Sequence, residues 1–204
     1  MNNTNIEINK KEVLRYMGAR GTFEPSIVAM VDKYILESGG YLAPRYVLRQ
    51  FDIVRENGRM FIDTVNLDGN DIADFLKDSG KCYLMCATIG YEIEREIDKA
   101  ATKSTLIELI IESIGSAAVE NLCDKVQESI GKNLARFSPG YGDFTLDIQP
   151  AIIKLLNATK LIGVSVSDMM LLTPRKSVTA IIAHNKSCKL NKCKACDKEC
   201  AFRK

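Results

Sequence analysis

The run from Ser104 to Gly131 constrains this chain more than any other. Leu106, Ile107, Ile110, Ile111, Ile114, Ala117, Ala118, Leu122 and Val126 recur at the three-and-four spacing that gathers side chains on one helix face. Ser104 is a good N-cap residue. The spacing predicts one helix over 105–130, about 39 Å long at 1.5 Å per residue. Gly115 and Gly131 are its weak points, so a bend is expected.

Around that helix the sequence alternates signals. Residues 10–17 and 26–38 read as helices, the second with Pro25 near its start and Gly39-Gly40 at its end. Residues 45–55 and 60–65 read as a β-hairpin about Glu56-Asn57-Gly58, since Asn-Gly is a strong turn signal. A short helix is expected over 71–78, capped by Asp68 or Asn70. Residues 81–89 read as a buried strand, and 91–101 as a helix dense in charge. Residues 148–156 read as a helix, and 163–166 and 177–184 as strands. There is no regular βαβ alternation, which predicts an α+β fold. The expectation is a single domain over 1–185, with a mixed or antiparallel sheet and surrounding helices. A Cys-rich basic tail follows over 186–204, where composition changes.

The stretch Arg136-Phe137-Ser138-Pro139-Gly140-Tyr141-Gly142-Asp143 carries the most chemistry. A helix-like segment is expected to run up to it. Arginine offers a planar fork of donors that matches a carboxylate. Gly140 and Gly142 permit a sharp turn and close approach of a ligand to main-chain N–H groups. Tyr141 can lie flat on a heterocycle. A ligand with both a carboxylate and an aromatic base suits the set, and S-adenosylmethionine is one. The plainer alternative is a surface turn preceded by an arginine.

R-[FY]-S-x-G-Y resembles the S-adenosylmethionine-binding motif of the reactivation domain of cobalamin-dependent methionine synthase. Leu172-Thr173-Pro174-Arg175-Lys176-Ser177-Val178 resembles that family's later M-x-P-x-x-S-V segment, with Leu172 for the methionine. The order and separation also match, and the resemblance is clearest over roughly 80–184. Gly142-Asp143-Phe144 stands where the family has Pro-Ala-Cys-Pro.

The resemblance implies that Arg136 meets the methionyl carboxylate of S-adenosylmethionine. It places Ser138, Gly140 and Tyr141 around the adenosyl part, and Thr173, Pro174 and Ser177 in a second ligand loop. Glu120, in Ala117-Ala118-Val119-Glu120-Asn121, is the candidate acid for the ligand's ammonium or ribose; a solvated helix-face glutamate is the alternative. Glu92, Glu94 and Glu96 read as an exposed charged face.

Cys188, Cys193, Cys196 and Cys200 are spaced C-x(4)-C-x(2)-C-x(3)-C among lysines. Thiolates this close could share zinc or an iron–sulfur cluster, with a flexible basic tail as the alternative. Cys82, Cys86 and Cys123 read as small core residues. His184 reads as a strand-end residue. The D-x-H-x-x-G cobalamin motif does not occur in this sequence.

With 204 residues, a net charge of +2 and 46% hydrophobic residues, the chain has enough apolar content for a core and too little positive charge for a general nucleic-acid binder. No apolar run is long enough to span a bilayer and the N-terminus has no signal-peptide core, so a cytoplasmic protein is expected. The leading expectation is a free-standing reactivation domain. It would bind S-adenosylmethionine and support reductive methylation of cob(II)alamin held by methionine synthase or a related corrinoid protein. Flavodoxin or a similar donor would give the electron, and cobalamin would be met only through the partner. Two alternatives stand beside it: a non-catalytic S-adenosylmethionine-binding or corrinoid-protein interaction module, and a small zinc or iron–sulfur protein acting through its tail.

Overall fold

Period-two alternation in two long strands organises the molecule. The computed structural model describes residues 6–18 and 23–184. Its elements are α1 (Lys10–Tyr16), α2 (Pro25–Glu37), β1 (Arg45–Glu56), β2 (Arg59–Ile62), β3 (Val65–Asn66), α3 (Asn70–Leu76), β4 (Lys81–Thr88), α4 (Glu92–Ala101), α5 (Thr105–Ile130), β5 (Leu134–Phe137), α6 (Gln149–Leu156), α7 (Ala158–Ile162), β6 (Ser165–Val166), β7 (Leu172–Thr173) and β8 (Ser177–His184). Six strands form one sheet in the order β3-β2-β1-β4-β8-β5, and every pairing is antiparallel. The fold is α+β.

Cys82, Leu84 and Cys86 of β4 point to one face, as do Ile181 and Ala183 of β8. Met85 and Ala87 of β4 point to the other face, with Ala180 and Ile182 of β8. The first face is covered by α3, α6 and α7 through Ile72, Phe75, Leu76, Ile152, Leu156 and Ile162. The second is covered by α4 and α5 through Ile93, Ile97, Ala118 and Leu122. Burying each such large aliphatic side chain contributes about 1.5–3 kcal/mol before entropy is counted.

Helix α5 is buried on two sides along its middle. Ile110, Ile114 and Ala117 turn away from the sheet and pack on Val13 of α1 and Val31 of α2. The helix therefore lies between the sheet and the α1–α2 layer. Ser104 Oγ caps it, 3.5 Å from the Ile107 N–H. The helix runs uninterrupted through Gly115. A Cβ at Gly115 would sit 2.8 Å from Ile93 Cδ1 and 3.1 Å from Lys176 Cε. The glycine is there for close approach, and the helix accepts its propensity cost.

The Asn57-Gly58 turn forms as expected, with φ of 51° and 74°, the positive pair that a two-residue hairpin favours. The expected second strand splits into β2 and β3 at Asp63, whose φ is 52°. Aspartate tolerates that conformation and makes a turn without a glycine signal. The helix-like run expected up to Arg136 ends at Ile130, and residues 134–137 form the sheet's edge strand. Cys82, Cys86 and Cys123 are buried, as expected of core residues. Burial pushes the Cys82 and Cys86 thiols up to about 12. No helix among the described residues is long and apolar enough to cross a membrane.

Candidate functional site

Arg136 owes its position to strand register. It pairs with Ile182, so its side chain shares that residue's face and points toward α5. Its neighbour Phe137 pairs with Ile181 and points the other way. There the Phe137 ring lies 5.3 Å from Phe75 and 6.1 Å from Phe144. This aromatic cluster anchors the strand on one face and leaves Arg136 free to serve the other.

Arg136 Nη2 reaches Glu120 Oε2 at 3.1 Å and Asp124 Oδ1 at 2.7 Å. The arginine side chain is 14% exposed, while the two carboxylates are 46% and 60% exposed. Its Nη1 is buried and has no hydrogen-bond partner among the described residues. A planar fork with one arm engaged by two carboxylates and the other unsatisfied has donors left for a third.

Glu120 and Asp124 belong to a longer row. Glu112, Ser116, Glu120 and Asp124 follow one another at i+4 spacing on α5, a ridge about 18 Å long. Two cations meet it. Arg136 takes the C-terminal half. Lys176 takes the N-terminal half, with Nζ 2.5 Å from Glu112 Oε1 and 2.9 Å from Ser116 Oγ. Lys176 lies in the 173–177 segment. The two sequence motifs, about 40 residues apart, thus converge on one ridge of one helix.

The 138–144 turn closes on itself. The Gly140 N–H donates to Phe144 O at 2.7 Å, and the Phe144 N–H donates to Tyr141 O at 3.1 Å. Ser138 takes part through its carbonyl, 3.4 Å from the Tyr141 N–H. Gly140 has φ of 91°, a conformation that favours glycine. Tyr141 is 53% exposed.

The second motif is held differently. Thr173 ends β7 and pairs with Ser165 in a two-stranded ribbon. Pro174 follows through a cis peptide bond. The Arg175 N–H donates to Glu94 Oε1. Ser177 Oγ donates to Thr88 Oγ1 at 2.9 Å, and that oxygen also accepts from the Gly90 N–H at 3.1 Å. Glu94 is 8% exposed, which corrects the expectation of an exposed face for it. Glu92, by contrast, is exposed and pairs with Arg95.

The structure therefore brings Arg136 and Glu120 into contact and sets Ser138, Gly140 and Tyr141 in the turn that follows. Ser177 starts β8, about 16 Å along the strand from Ile182, the partner of Arg136. Sequence reasoning missed Asp124, Lys176, Glu112, Ser116 and Glu94. The i+4 polar row on α5 was the available signal for three of them. A separate cleft of about 410 Å³, lined by Pro150, Ile153, Asn157 and Val166, is built on α6, which covers the opposite face of the sheet.

Cys188, Cys193, Cys196 and Cys200 lie outside the described residues. Among the described residues, no group of three or more His, Cys, Asp or Glu side chains is placed to hold a metal ion. His184 is exposed at the end of β8, opposite Leu134, a strand-end position as expected.

No protein-family model and no curated protein sequence matches this chain. Among solved structures, one match is the crystal structure of the MetH reactivation domain bound to AdoHcy. It has a TM-score of 0.71 at 15% identity and covers 89% of this chain and 75% of that one. By fold, this chain is similar to the MetH reactivation domain over most of its length.

Proposed function

We propose that this chain binds S-adenosylmethionine along the α5 ridge and supports reductive methylation of cob(II)alamin on a separate corrinoid protein. The observation that carries the reading is the convergence of Arg136, Glu120 and Asp124 beside the Tyr141 turn. An α-amino acid carries a carboxylate and an ammonium on one carbon. A cation flanked by two half-exposed carboxylates offers both complements side by side. Arg136 Nη1, buried and unpaired, is the donor for the ligand carboxylate. Glu120 and Asp124 have oxygens to spare for the ammonium or ribose hydroxyls. Tyr141 supplies an exposed ring for the adenine, with Ser138 and Gly140 shaping its turn. Thr173, Pro174 and Ser177 form the far wall, braced by Glu94 and Lys176. A fold similar to a domain crystallised with AdoHcy supports the same ligand class.

S-adenosylmethionine supplies the methyl cation and leaves as the neutral thioether, while one electron from an outside donor such as flavodoxin balances the change from cob(II)alamin to methylcobalamin. The chain's own part is to bind and aim the sulfonium. In this reading the corrinoid is presented by a cobalamin-binding methionine synthase or related corrinoid protein, to which the chain docks. The protein purified alone is expected to carry no corrinoid absorbance.

Calorimetry with S-adenosylmethionine and AdoHcy tests the binding half, and both are expected to bind. Methylcobalamin formation on an added corrinoid protein, with a chemical reductant, tests the other. Binding without any such formation would leave a non-catalytic S-adenosylmethionine module. The tail cysteines, Cys188, Cys193, Cys196 and Cys200, are proposed to hold zinc or an iron–sulfur cluster. Truncation at Asn185 should remove that metal and spare S-adenosylmethionine binding; retained metal after truncation would move the site elsewhere.

A further inference from the structure

The Gly140–Asp143 turn is fastened to a helix far away in sequence. Asp143 Oδ2 lies 2.6 Å from the Asn70 N–H nitrogen, and its Oδ1 lies 3.0 Å from that of Asp71. Asp71 returns the contact, its Oδ2 accepting the Asp143 N–H at 3.1 Å. The N-cap of α3 is Gly69, which has no side chain to cap with. Asp143 therefore satisfies the helix's first N–H groups from across the fold. The fit leaves no slack. A Cβ on Gly142, whose φ is 56°, would fall 1.8 Å from Asp71 Oδ2. A Cβ on Gly69, whose φ is 131°, would fall 2.8 Å from Asp143 Oδ1. On the far side, Phe144 is 1% exposed and packs by Phe137. The turn is thus held in the core at Phe144 and on α3 at Asp143, with Tyr141 presented next to these anchors.

We propose that Asp143 is a positioning residue, acting through the Gly140–Gly142 turn to set where Tyr141 and the Gly140 backbone meet the ligand. This rests on the reading of the groove as an S-adenosylmethionine site. A turn with two glycines that was not tied down would have to be ordered on binding, at a cost in affinity. The reciprocal Asp143–Asp71 clasp orders it beforehand.

Two measurements test this on the full chain, at temperatures where circular dichroism shows each variant folded. In calorimetry, Asp143→Ala should weaken S-adenosylmethionine binding about tenfold, the scale of a lost hydrogen bond to a charged group. Asp143→Asn keeps one acceptor oxygen and should recover part of that loss. In a Tyr141→Ala background, Asp143→Ala should have a smaller effect than in the wild type, because only the Gly140 backbone is left to position. Fully additive losses would overturn the proposal while leaving the binding site in place. In hydrogen exchange without ligand, Asp143→Ala should lose protection at Gly140 and Phe144 as well as at Asn70 and Asp71, with β4 and β8 unchanged. Unchanged protection at Gly140 and Phe144 would also overturn it. Wild-type protein that binds neither S-adenosylmethionine nor AdoHcy would refute the ligand reading instead, and exchange alone would then decide whether Asp143 fixes the turn.

Discussion

The two loops that meet the α5 ridge are built on opposite principles. The 173–177 loop is locked. Its Lys176 side chain is 11% exposed and spans Glu112 and Ser116, and its Arg175 N–H is taken by the buried Glu94. The 136–143 loop is tied down at its ends and open in the middle. Tyr141 is half-exposed, Arg136 keeps an unpaired Nη1, and the carboxylates around it face water. One loop spends its polar groups on α4, α5 and β4. The other holds polar groups ready for something else. The difference separates a wall from a binding surface, though both loops are anchored by carboxylates accepting main-chain N–H groups.

The contrast breaks most readily at Lys176. Lys176→Ala removes the cation between Glu112 and Ser116 and the stem packed on Gly115. Breaking a buried ion pair from one side typically costs 3–5 kcal/mol; about 2 kcal/mol is expected here, because Glu112 retains contact with water. Urea unfolding would show it. An unchanged midpoint would mean that this loop is no more locked than the other.

Arg136→Ala should do the reverse. It should weaken S-adenosylmethionine binding by about 2 kcal/mol yet cost less than about 1 kcal/mol of stability, since Glu120 and Asp124 are solvated without it. Arg136→Lys should restore the charge without the fork, and so only part of the affinity. Equal affinity for all three proteins would remove Arg136 from the site.

Gly142→Ala adds a side chain at positive φ against Asp71. The left-handed conformation alone costs an L-residue about 1–2 kcal/mol, and thermal unfolding should register a loss of that order. A silent substitution would show that the clasp yields.

The smallest effect is on pH dependence. Hydrogen bonds from the Asn70 and Asp71 backbone hold the Asp143 carboxyl below its ordinary value of 3.8. A group depressed in the folded state contributes stability that is present above its unfolded pKa and lost as pH falls through the folded one. Asp143→Asn should therefore lower stability slightly above about pH 4, neutrality included, with the difference from the wild type closing as pH falls, so that the acid limb is flatter. An acid limb that superimposes on that of the wild type would deny the charge a part in the clasp.

Local chemistry determined much of this protein. The helix over 105–130 matches the structure residue for residue, because nine apolar positions at helical spacing admit few other arrangements. The Asn57-Gly58 hairpin, the buried strand from Lys81 and the strand ending at His184 were legible for similar reasons. The ion pair between Arg136 and Glu120 was not legible: the resemblance implies a ligand contact for each and no bond between them. What tertiary structure alone decided lies where the partner is remote. The 134–137 strand, four residues long, is too short to announce itself; pairing with β8 makes it a strand and aims Arg136. Glu94 is spaced like its exposed neighbours, and only the arrival of the Arg175 N–H buries it. The cap of α3 was sought in Asp68 or Asn70, next to the helix, and comes from Asp143 on another loop. A helix end must find acceptors, but the sequence does not say from where. Apolar periodicity is written locally because it serves one surface. The satisfaction of charges and N–H groups is settled only when distant segments meet.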